Sequence, residues 1–305
     1  MRDSFIHSLA EMAKKDRNIQ LITGDLGFGV LKPYWESVPD QFLNAGIAEQ
    51  NMTAMAAGMA LEGKTVFTYS IGNFPTLRCL EQIRNDCAYH GANVTIVCVG
   101  GGFVYGSLGM SHHATEDLAV MRALPEVAVF APADKVEAQA VAEAAAAYPG
   151  TCYIRLGRGG ERIVREEIGD FQIGKALAVQ QGETVAIFTT GDIYGEAAEA
   201  VRILEEKGIV PTVYTFPTVK PLDVETVREC AGKHRLIVTC EEHNITGGLG
   251  SAVAEVLAEA PGGARLVRLG ISGGYCTTVG DQRHLRRQYG LGGDQIARRI
   301  LKELA

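Results

Sequence analysis

The sequence predicts two α/β domains, each a mostly parallel sheet flanked by helices. Two observations predict this fold class. Short apolar runs alternate with longer helical patterns along almost the whole chain, as in repeated strand–helix units. The strand-like runs also lack the alternating polar residues of a half-exposed sheet, which indicates strands buried on both faces by crossover helices.

Residues 1–160 are predicted to form the first domain. The domain opens with an amphipathic helical pattern in residues 1–18, which has no apolar signal core. Strands are predicted at residues 19–23, 64–69, 94–100, 127–131 and 152–156. Helices are predicted at residues 48–63, 75–91, 116–124 and 134–148, and Pro132 and Asp134 give the last of these a helix-start signal.

The pattern then changes in residues 157–175, which are glycine-rich, charged and without a long period. We therefore predict an interdomain linker at residues 161–178 and a second domain at residues 179–305. Strands are predicted there at residues 184–191, 210–216, 235–242 and 264–270, and helices at residues 194–207 and 249–259. The tail from residue 281 is predicted to form two short helices joined at a glycine pair.

The composition limits the classes of function. Of 305 residues, 47% are hydrophobic and 21% charged, and the net charge is -7. An acidic balance argues against a nucleic acid or an anionic membrane as the main partner, because phosphate contacts need clustered Lys and Arg. No segment approaches the roughly 20 apolar residues of a membrane helix. The seven cysteines form no CxxC pair, which favours reduced thiols and a cytoplasmic location.

Glu49 is the first candidate for chemistry, because it opens an apolar helix directly after a strand and a glycine. An acid at this place is ordinarily a surface residue that stabilises the helix end by about 0.3–1 kcal/mol. Here Ala48 and Met52 indicate an environment with little water. A carboxyl group in such a place can donate a proton to a ring nitrogen or share one with it.

Five stretches of the chain resemble the transketolase and deoxyxylulose-phosphate synthase family, in the family's order and approximate spacing. The resemblance covers essentially the whole chain. The stretches are GIAEQN (46–51), TYSIGNFPTLRCLEQIRND (68–86), GSLGMSHHATEDLAVMRALPEVAVFAPAD (106–134), YIRLGRGGE (153–161) and TCEEHNITGGLGSAVAEVL (239–257).

The resemblance implies a transferase that uses thiamine diphosphate and Mg²⁺ to move a two-carbon ketol unit from a ketose or its phosphate to an aldose or its phosphate. It implies that Glu49 bonds N1′ of the cofactor's aminopyrimidine and so promotes loss of the proton from the reactive carbon. Phe74 and Tyr69 are the candidates for the aromatic wall of the flat ring. Ile47 is expected to pack against the ring, and Asp25 to lie near the cofactor. Core packing is the alternative for Phe74, Tyr69 and Ile47.

Other residues match family positions that face the substrate. His112 matches the histidine of a Gly-x-Thr-His segment beside the reacting carbonyl, although a loop histidine bonded to the backbone is the alternative. Arg158 matches an arginine that binds the substrate's phosphate, and Arg2 is a second candidate. Each arginine could instead be solvated or salt-bridged, and Arg155 could be either a substrate reader or a structural pair. Leu108 stands where many family members have an acid that reads a donor hydroxyl, which puts the usual sugars in doubt.

The family's metal and diphosphate motif, Gly-Asp-Gly followed by Asn, is missing. Residues 24–27, 191–193 and 280–282 each fail at the second glycine. The resemblance therefore implies a split transketolase, in which this chain is the C-terminal subunit. A separate N-terminal subunit would carry the diphosphate-binding domain and the Mg²⁺ ligands, with none on this chain. The two subunits would form a heterotetramer, with an obligate interface above about 2,000 Å².

Two other interpretations remain open at this stage. The β-subunit of a 2-oxo-acid dehydrogenase E1 has the same two domains and the same missing motif. A non-catalytic transketolase-like paralogue is the other alternative, although such a protein has no need of Glu49, His112 and Arg158 together.

Overall fold

The computed structural model describes residues 1–259 and 263–305. Its helices are α1 (Arg2–Lys15), α2 (Lys32–Ser37), α3 (Glu49–Leu61), α4 (Leu80–Gln82), α5 (Asp117–Ala123), α6 (Lys135–Ala147), α7 (Tyr194–Glu205), α8 (Val224–Lys233), α9 (Leu249–Glu259), α10 (Gln282–Gln288) and α11 (Gly293–Leu304). Its strands are β1 (Ile19–Thr23), β2 (Phe42–Asn44), β3 (Thr65–Ile71), β4 (Val94–Val99), β5 (Ala128–Phe130), β6 (Cys152–Leu156), β7 (Leu177–Gln180), β8 (Val185–Thr190), β9 (Thr212–Thr215), β10 (Thr218–Lys220), β11 (Leu236–Asn244) and β12 (Arg265–Ile271).

The first sheet has seven strands in the order β10-β5-β6-β4-β3-β1-β2, and only β10 runs antiparallel to its neighbour. Helices cover both faces, as the unbroken apolar strands predict. On one face Phe5 of α1 and Val141 of α6 pack in one core with Phe67 of β3. On the other face Met52 of α3 packs with Ile83. Burial on both faces leaves the strand ends as the places where loops present side chains.

The second sheet has five strands in the order β12-β11-β8-β9-β7, and only the edge strand β7 is antiparallel. Helices α7 and α11 pack on one face, and α8 and α9 pack on the other. The predicted fold class, two domains with mostly parallel sheets flanked by helices, is confirmed. The two helices predicted for the tail are also present, as α10 and α11.

Strand β10 links the two sheets in a way that the sequence did not predict. It follows β9 of the second sheet along the chain, but Thr218 pairs with Phe130 at the edge of the first sheet. The second half of the chain therefore completes the sheet of the first half. The segment predicted as a linker, residues 161–178, contains no helix or strand before Leu177, where β7 begins.

The helix predicted over residues 75–91 is not one regular α-helix. The structure has a 3₁₀ turn at Leu77–Cys79, one α-helical turn at α4, and a π-helix at Ile83–Ala88. Each change of hydrogen-bond spacing alters which side chains share a face, and such changes are frequent near functional sites. Here the irregular start of the segment positions Arg78 beside the first turn of α3.

Arg155, at the end of β6, is buried where the two domains meet. Its Nη2 donates to the carbonyl oxygens of Ala114, at 3.1 Å, and Glu242, at 2.7 Å. Its Nε lies 3.4 Å from Oδ2 of Asp117. These partners hold two of the three guanidinium nitrogens in the buried contact between the domains, so the structure favours a structural pair over a substrate reader for Arg155.

Two further observations concern the chain as a whole. All seven cysteines are buried free thiols. Among the described residues, no helix is both long enough and apolar enough to cross a membrane.

Candidate active site

Most of the predicted site residues lie beyond the carboxyl ends of neighbouring parallel strands in the first sheet. Asp25 follows β1, Ile47 and Glu49 follow β2, Phe74 follows β3, His112 lies beyond β4, and Arg158 follows β6. These strands are neighbours in the order β6-β4-β3-β1-β2, so the loops meet at one edge. Ligands of parallel α/β sheets bind at this edge. Tyr69 lies within β3 and Arg2 begins α1, so they are placed differently.

Glu49 is the first residue of α3, and its side chain is only 5% exposed. Its Oε2 accepts a hydrogen bond from Nη1 of Arg78 at 2.8 Å. Its Oε1 has no donor among the residues that the structure describes. The backbone of Gly24 approaches closely, since a Cβ there would lie 3.3 Å from Cγ of Glu49. The carboxylate is thus buried and charge-paired, with one oxygen left for a ligand.

Arg78 connects Glu49 to the aromatic residues of the edge. Its guanidinium carbon lies 4.6 Å from the centroid of the Phe74 ring, which is a cation–π distance. The Phe74 ring in turn meets the His112 ring edge-to-face, with centroids 5.2 Å apart. A continuous line of contacts therefore runs from Glu49 through Arg78 and Phe74 to His112. Sequence reasoning missed Arg78, whose only signal is a basic residue within the aromatic-rich segment 68–86.

His112 is half-buried in the loop after β4, and its Nδ1 lies 3.0 Å from Oγ of Ser111. Burial lowers the pKa of His112, with a smaller contribution from the neighbouring His113, so the imidazole is neutral at pH 7. His113 is fully buried against Phe103 and its Nε2 lies 3.3 Å from the carbonyl oxygen of Gly106. Of the two histidines, only His112 is available to a ligand.

Arg158 is exposed, and its guanidinium carbon lies 5.8 Å from the centroid of the Tyr105 ring. The same ring lies 6.4 Å from the His112 ring. Arg2 is paired with its neighbour in α1, because its Nε donates to Oδ1 of Asp3 at 2.9 Å. The structure therefore brings His112 and Arg158 together around Tyr105, a residue that sequence reasoning missed, and does not record Arg2 in contact with them.

The remaining candidates differ in how accessible they are. Tyr69 is buried in the core, and burial raises the pKa of its phenol. Its ring packs close to Gly27 and is not reachable from the edge, whereas Phe74 is only partly buried. Ile47 is 79% exposed beside Glu49. Asp25 is also exposed, and its Oδ1 accepts a hydrogen bond from Nδ2 of Asn44 at 2.9 Å.

This arrangement defines a class of protein. A buried acid, an aromatic ring, a histidine and an exposed arginine lie along the carboxyl edge of a parallel sheet, so the chain is an α/β protein with a candidate site for a polar ligand at that edge. Within the described residues, no group of three or more His, Cys, Asp or Glu side chains is placed to hold a metal ion.

Comparisons with known proteins identify the family. Residues 1–162 match the pyrimidine binding domain of transketolase, and residues 174–296 match the transketolase C-terminal domain. The chain therefore belongs to the transketolase family. The predicted resemblance to the C-terminal subunit of a split transketolase is confirmed by the relatives described next.

Each of these relatives matches nearly the whole of both chains. A putative transketolase C-terminal section from Methanocaldococcus jannaschii is 39% identical, over 100% of this chain and 96% of its own length. One subunit of an apulose-4-phosphate transketolase from Phocaeicola vulgatus is 35% identical, over 99% and 96%. A solved structure described as a split gene transketolase, inactive beta4 tetramer, has a TM-score of 0.88 and 35% identity, over 99% and 96%.

Proposed function

We propose that this chain is one subunit of a thiamine-diphosphate-dependent transketolase, which transfers a two-carbon ketol unit from a ketose or ketose phosphate to an aldose or aldose phosphate. The observation that carries the proposal is the line of contacts from Glu49 through Arg78 and Phe74 to His112. This line supports the proposal because it joins an acid, an aromatic ring and a histidine in one row of contacts.

The residues of the edge fit a flat aminopyrimidine. Glu49 would hold a ring nitrogen through Oε1, while Phe74 and the exposed Ile47 would contact the ring. When bound, thiamine diphosphate supplies an acidic carbon and an electron sink for cleaving a bond beside a carbonyl. The protein's own contribution is to place the ring and to share a proton with it.

Each of the other residues has a distinct role in this proposal. Arg78 holds Oε2 of Glu49 and so turns Oε1 towards the ligand. His112 is neutral at pH 7, so it can bond the oxygen of the reacting carbonyl without adding a charge. Arg158 and Arg2 bind the terminal anion of the sugar, because a guanidinium matches two oxygens of a phosphate. The relative named as an apulose-4-phosphate transketolase subunit supports a sugar phosphate as substrate.

The outer face of α3 supports the proposal of a second chain. Beyond the first turn of this helix, the exposed residues are Ala54, Gly58 and Leu61, while the opposite face is already buried in the core. A helix that is apolar on all sides is normally buried. An N-terminal subunit that covers α3, in a heterotetramer, would also approach Glu49. That subunit would bring the diphosphate-binding domain and the Mg²⁺ ligands.

The test uses the complex reconstituted from this chain and an N-terminal transketolase subunit. Glu49→Gln should lower kcat for ketol transfer by about 10²–10⁴-fold with little change in KM, because the proton is shared in the transition state. Glu62→Gln, at the other end of the same helix, is the matched control and should retain wild-type activity. Equal activity of the two variants contradicts the role of Glu49.

The split of the site is tested on the isolated chain. Without the N-terminal subunit, the chain should not bind thiamine diphosphate with Mg²⁺ at micromolar concentrations in calorimetric titrations. Tight binding by the isolated chain refutes the split site. Oxidative decarboxylation of a 2-oxo acid by the reconstituted complex, with transfer to a lipoyl acceptor and no ketol transfer, would identify the dehydrogenase alternative instead.

A further inference from the structure

Tyr105 is held in a fixed place beside the site. It follows β4, and its ring lies directly on Gly100, where any Cβ would overlap the ring. Gly100 also has φ +92°, a conformation that favours glycine. The backbone at the end of β4 therefore leaves a space that the Tyr105 ring fills.

The Tyr105 ring contacts both groups that face the substrate in the proposed function. Its centroid lies 6.4 Å from the His112 ring and 5.8 Å from the guanidinium carbon of Arg158. These distances limit the separation of His112 and Arg158 to roughly 12 Å. One sugar with a terminal anion can therefore contact both groups, with Tyr105 between them.

The phenol hydroxyl of Tyr105 has no hydrogen-bond partner among the residues that the structure describes. The same turn contains Leu108, whose amide donates to the carbonyl oxygen of Tyr105 at 2.9 Å. Leu108 is apolar and 56% exposed, so its side chain cannot bond a sugar hydroxyl. Two side chains of this turn can do so, Tyr105 and the exposed Ser107, and of these Tyr105 is the one whose ring lies beside both His112 and Arg158.

We infer that Tyr105 determines the sugar specificity of this site. Its hydroxyl bonds a substrate hydroxyl that lies between the reacting carbonyl and the terminal anion. Its ring holds the Arg158 guanidinium in the position where it can bind that anion. The inference rests on the proposed function, because it takes His112 and Arg158 as the two ends of the substrate site. The ligand class is a hydroxylated sugar that ends in a phosphate or a similar oxyanion.

The first experiment compares wild type, Tyr105→Phe and Tyr105→Leu in the reconstituted complex. Ketoses and aldoses are supplied with and without a terminal phosphate. Tyr105→Phe keeps the ring and should lower kcat/KM about fivefold to tenfold for phosphorylated and unphosphorylated sugars alike, the effect of one lost hydrogen bond. Tyr105→Leu should in addition reduce the preference for the phosphorylated sugar about twofold to fivefold, because Arg158 loses its cation–π contact. Tyr89→Phe, at a highly exposed tyrosine, is the matched control.

The second experiment needs no cofactor and no second subunit. Inorganic phosphate and ribose 5-phosphate are titrated into the isolated chain, and binding is followed by ligand-observed NMR. Wild type and Tyr105→Phe should bind phosphate saturably. Arg158→Met should bind at least about tenfold more weakly, and Tyr105→Leu about twofold to fivefold more weakly. Circular dichroism confirms that each variant is folded.

The outcomes separate the inference from the function on which it rests. If the wild-type complex transfers ketol units and both Tyr105 variants behave like Tyr89→Phe in the two experiments, the inference about Tyr105 is overturned and the proposed function stands. If the complex is inactive but phosphate binding depends on Tyr105 and Arg158, the anion site is supported and the proposed function fails. Absence of saturable phosphate binding by the wild-type chain overturns the placement of the anion.

Discussion

Removal of the Arg78 guanidinium should destabilise the first domain, by an amount that depends on how deeply the Arg78–Glu49 ion pair is buried. The Glu49 carboxylate is 5% exposed, whereas the Arg78 side chain is 47% exposed. Breaking a fully buried pair by removing one partner costs about 3–5 kcal/mol, and breaking a fully exposed pair costs about 0–1 kcal/mol. Solvent screening at Arg78 puts this pair between the two cases. Arg78→Gln should therefore lower the free energy of unfolding by about 1–2 kcal/mol.

The assay is urea unfolding of the isolated chain, followed by the fluorescence of Trp35. This residue is the single tryptophan of the sequence, and it packs against Phe42 in the first domain. Lys14→Gln breaks the exposed pair between Lys14 and Glu11 in the same domain and should leave the midpoint unchanged. The double variant, Arg78→Gln with Glu49→Gln, should recover part of the free energy of unfolding that Arg78→Gln loses, because no buried charge then remains unpaired.

One result would refute this reasoning. If Arg78→Gln shifts the urea midpoint no more than Lys14→Gln does, Arg78 does not stabilise the buried carboxylate of Glu49. The contact between Glu49 and Arg78 could then no longer support the line of contacts from Glu49 to His112.

Three further predictions concern other parts of the chain. Burial raises the pKa of Glu137 to about 7. The folded chain therefore holds a proton that the unfolded chain releases, and the free energy of unfolding falls as pH rises from about 4.5 to about 7. Glu137→Gln should remove that part of the fall, measured as urea midpoints at pH 5 and pH 8. Glu241→Gln should instead destabilise the chain by about 1–3 kcal/mol in the same assay. Both carboxylate oxygens of Glu241 accept hydrogen bonds from backbone N–H groups, those of Leu249 and Gly250, and an amide nitrogen cannot accept such a bond. Gly58→Arg, on the outer face of α3, should leave the unfolding midpoint of the isolated chain near that of wild type but prevent association with the proposed N-terminal subunit in sedimentation experiments. Normal association would show that this face of α3 is not the interface.

The sequence predicts the buried strands well because their apolar runs are continuous. Residues 19–23 and 152–156 form strands with the predicted bounds, and both lie inside a sheet covered on two faces. The elements that it misses are mostly short or irregular. Strand β10 has three residues, and its hydrogen-bond partner lies about 90 residues away in the other domain. No local pattern of polarity contains that information.

The same limit applies to the site. The motif around Glu49 and the resemblance at His112 and Arg158 could be read along the chain, because each lies in a recognisable stretch. Arg78 and Tyr105 contact residues that lie on other loops, since Arg78 pairs with Glu49 and the Tyr105 ring lies beside the Arg158 guanidinium. Such contacts depend on where two loops leave the sheet, and the order of residue types along the chain does not give that geometry.

The open side of the site gives a physical reason for a second chain. The Glu49 side chain is already buried from solvent, but Ile47 beside it is 79% exposed, and Phe28 and Arg158 at the same edge also face solvent. Water at such an edge weakens the electrostatic interactions on which the proposed proton sharing by Glu49 would depend, because the attraction between charges falls as the effective dielectric constant rises. A surface that covers Ile47 and Phe28 would remove that water and bury apolar area at the same time. Burial of this edge would then drive assembly and also activate the site. Variants that weaken association should therefore lose activity in proportion to the decrease in the fraction of chains that are in the complex, while the fold of the isolated chain stays intact.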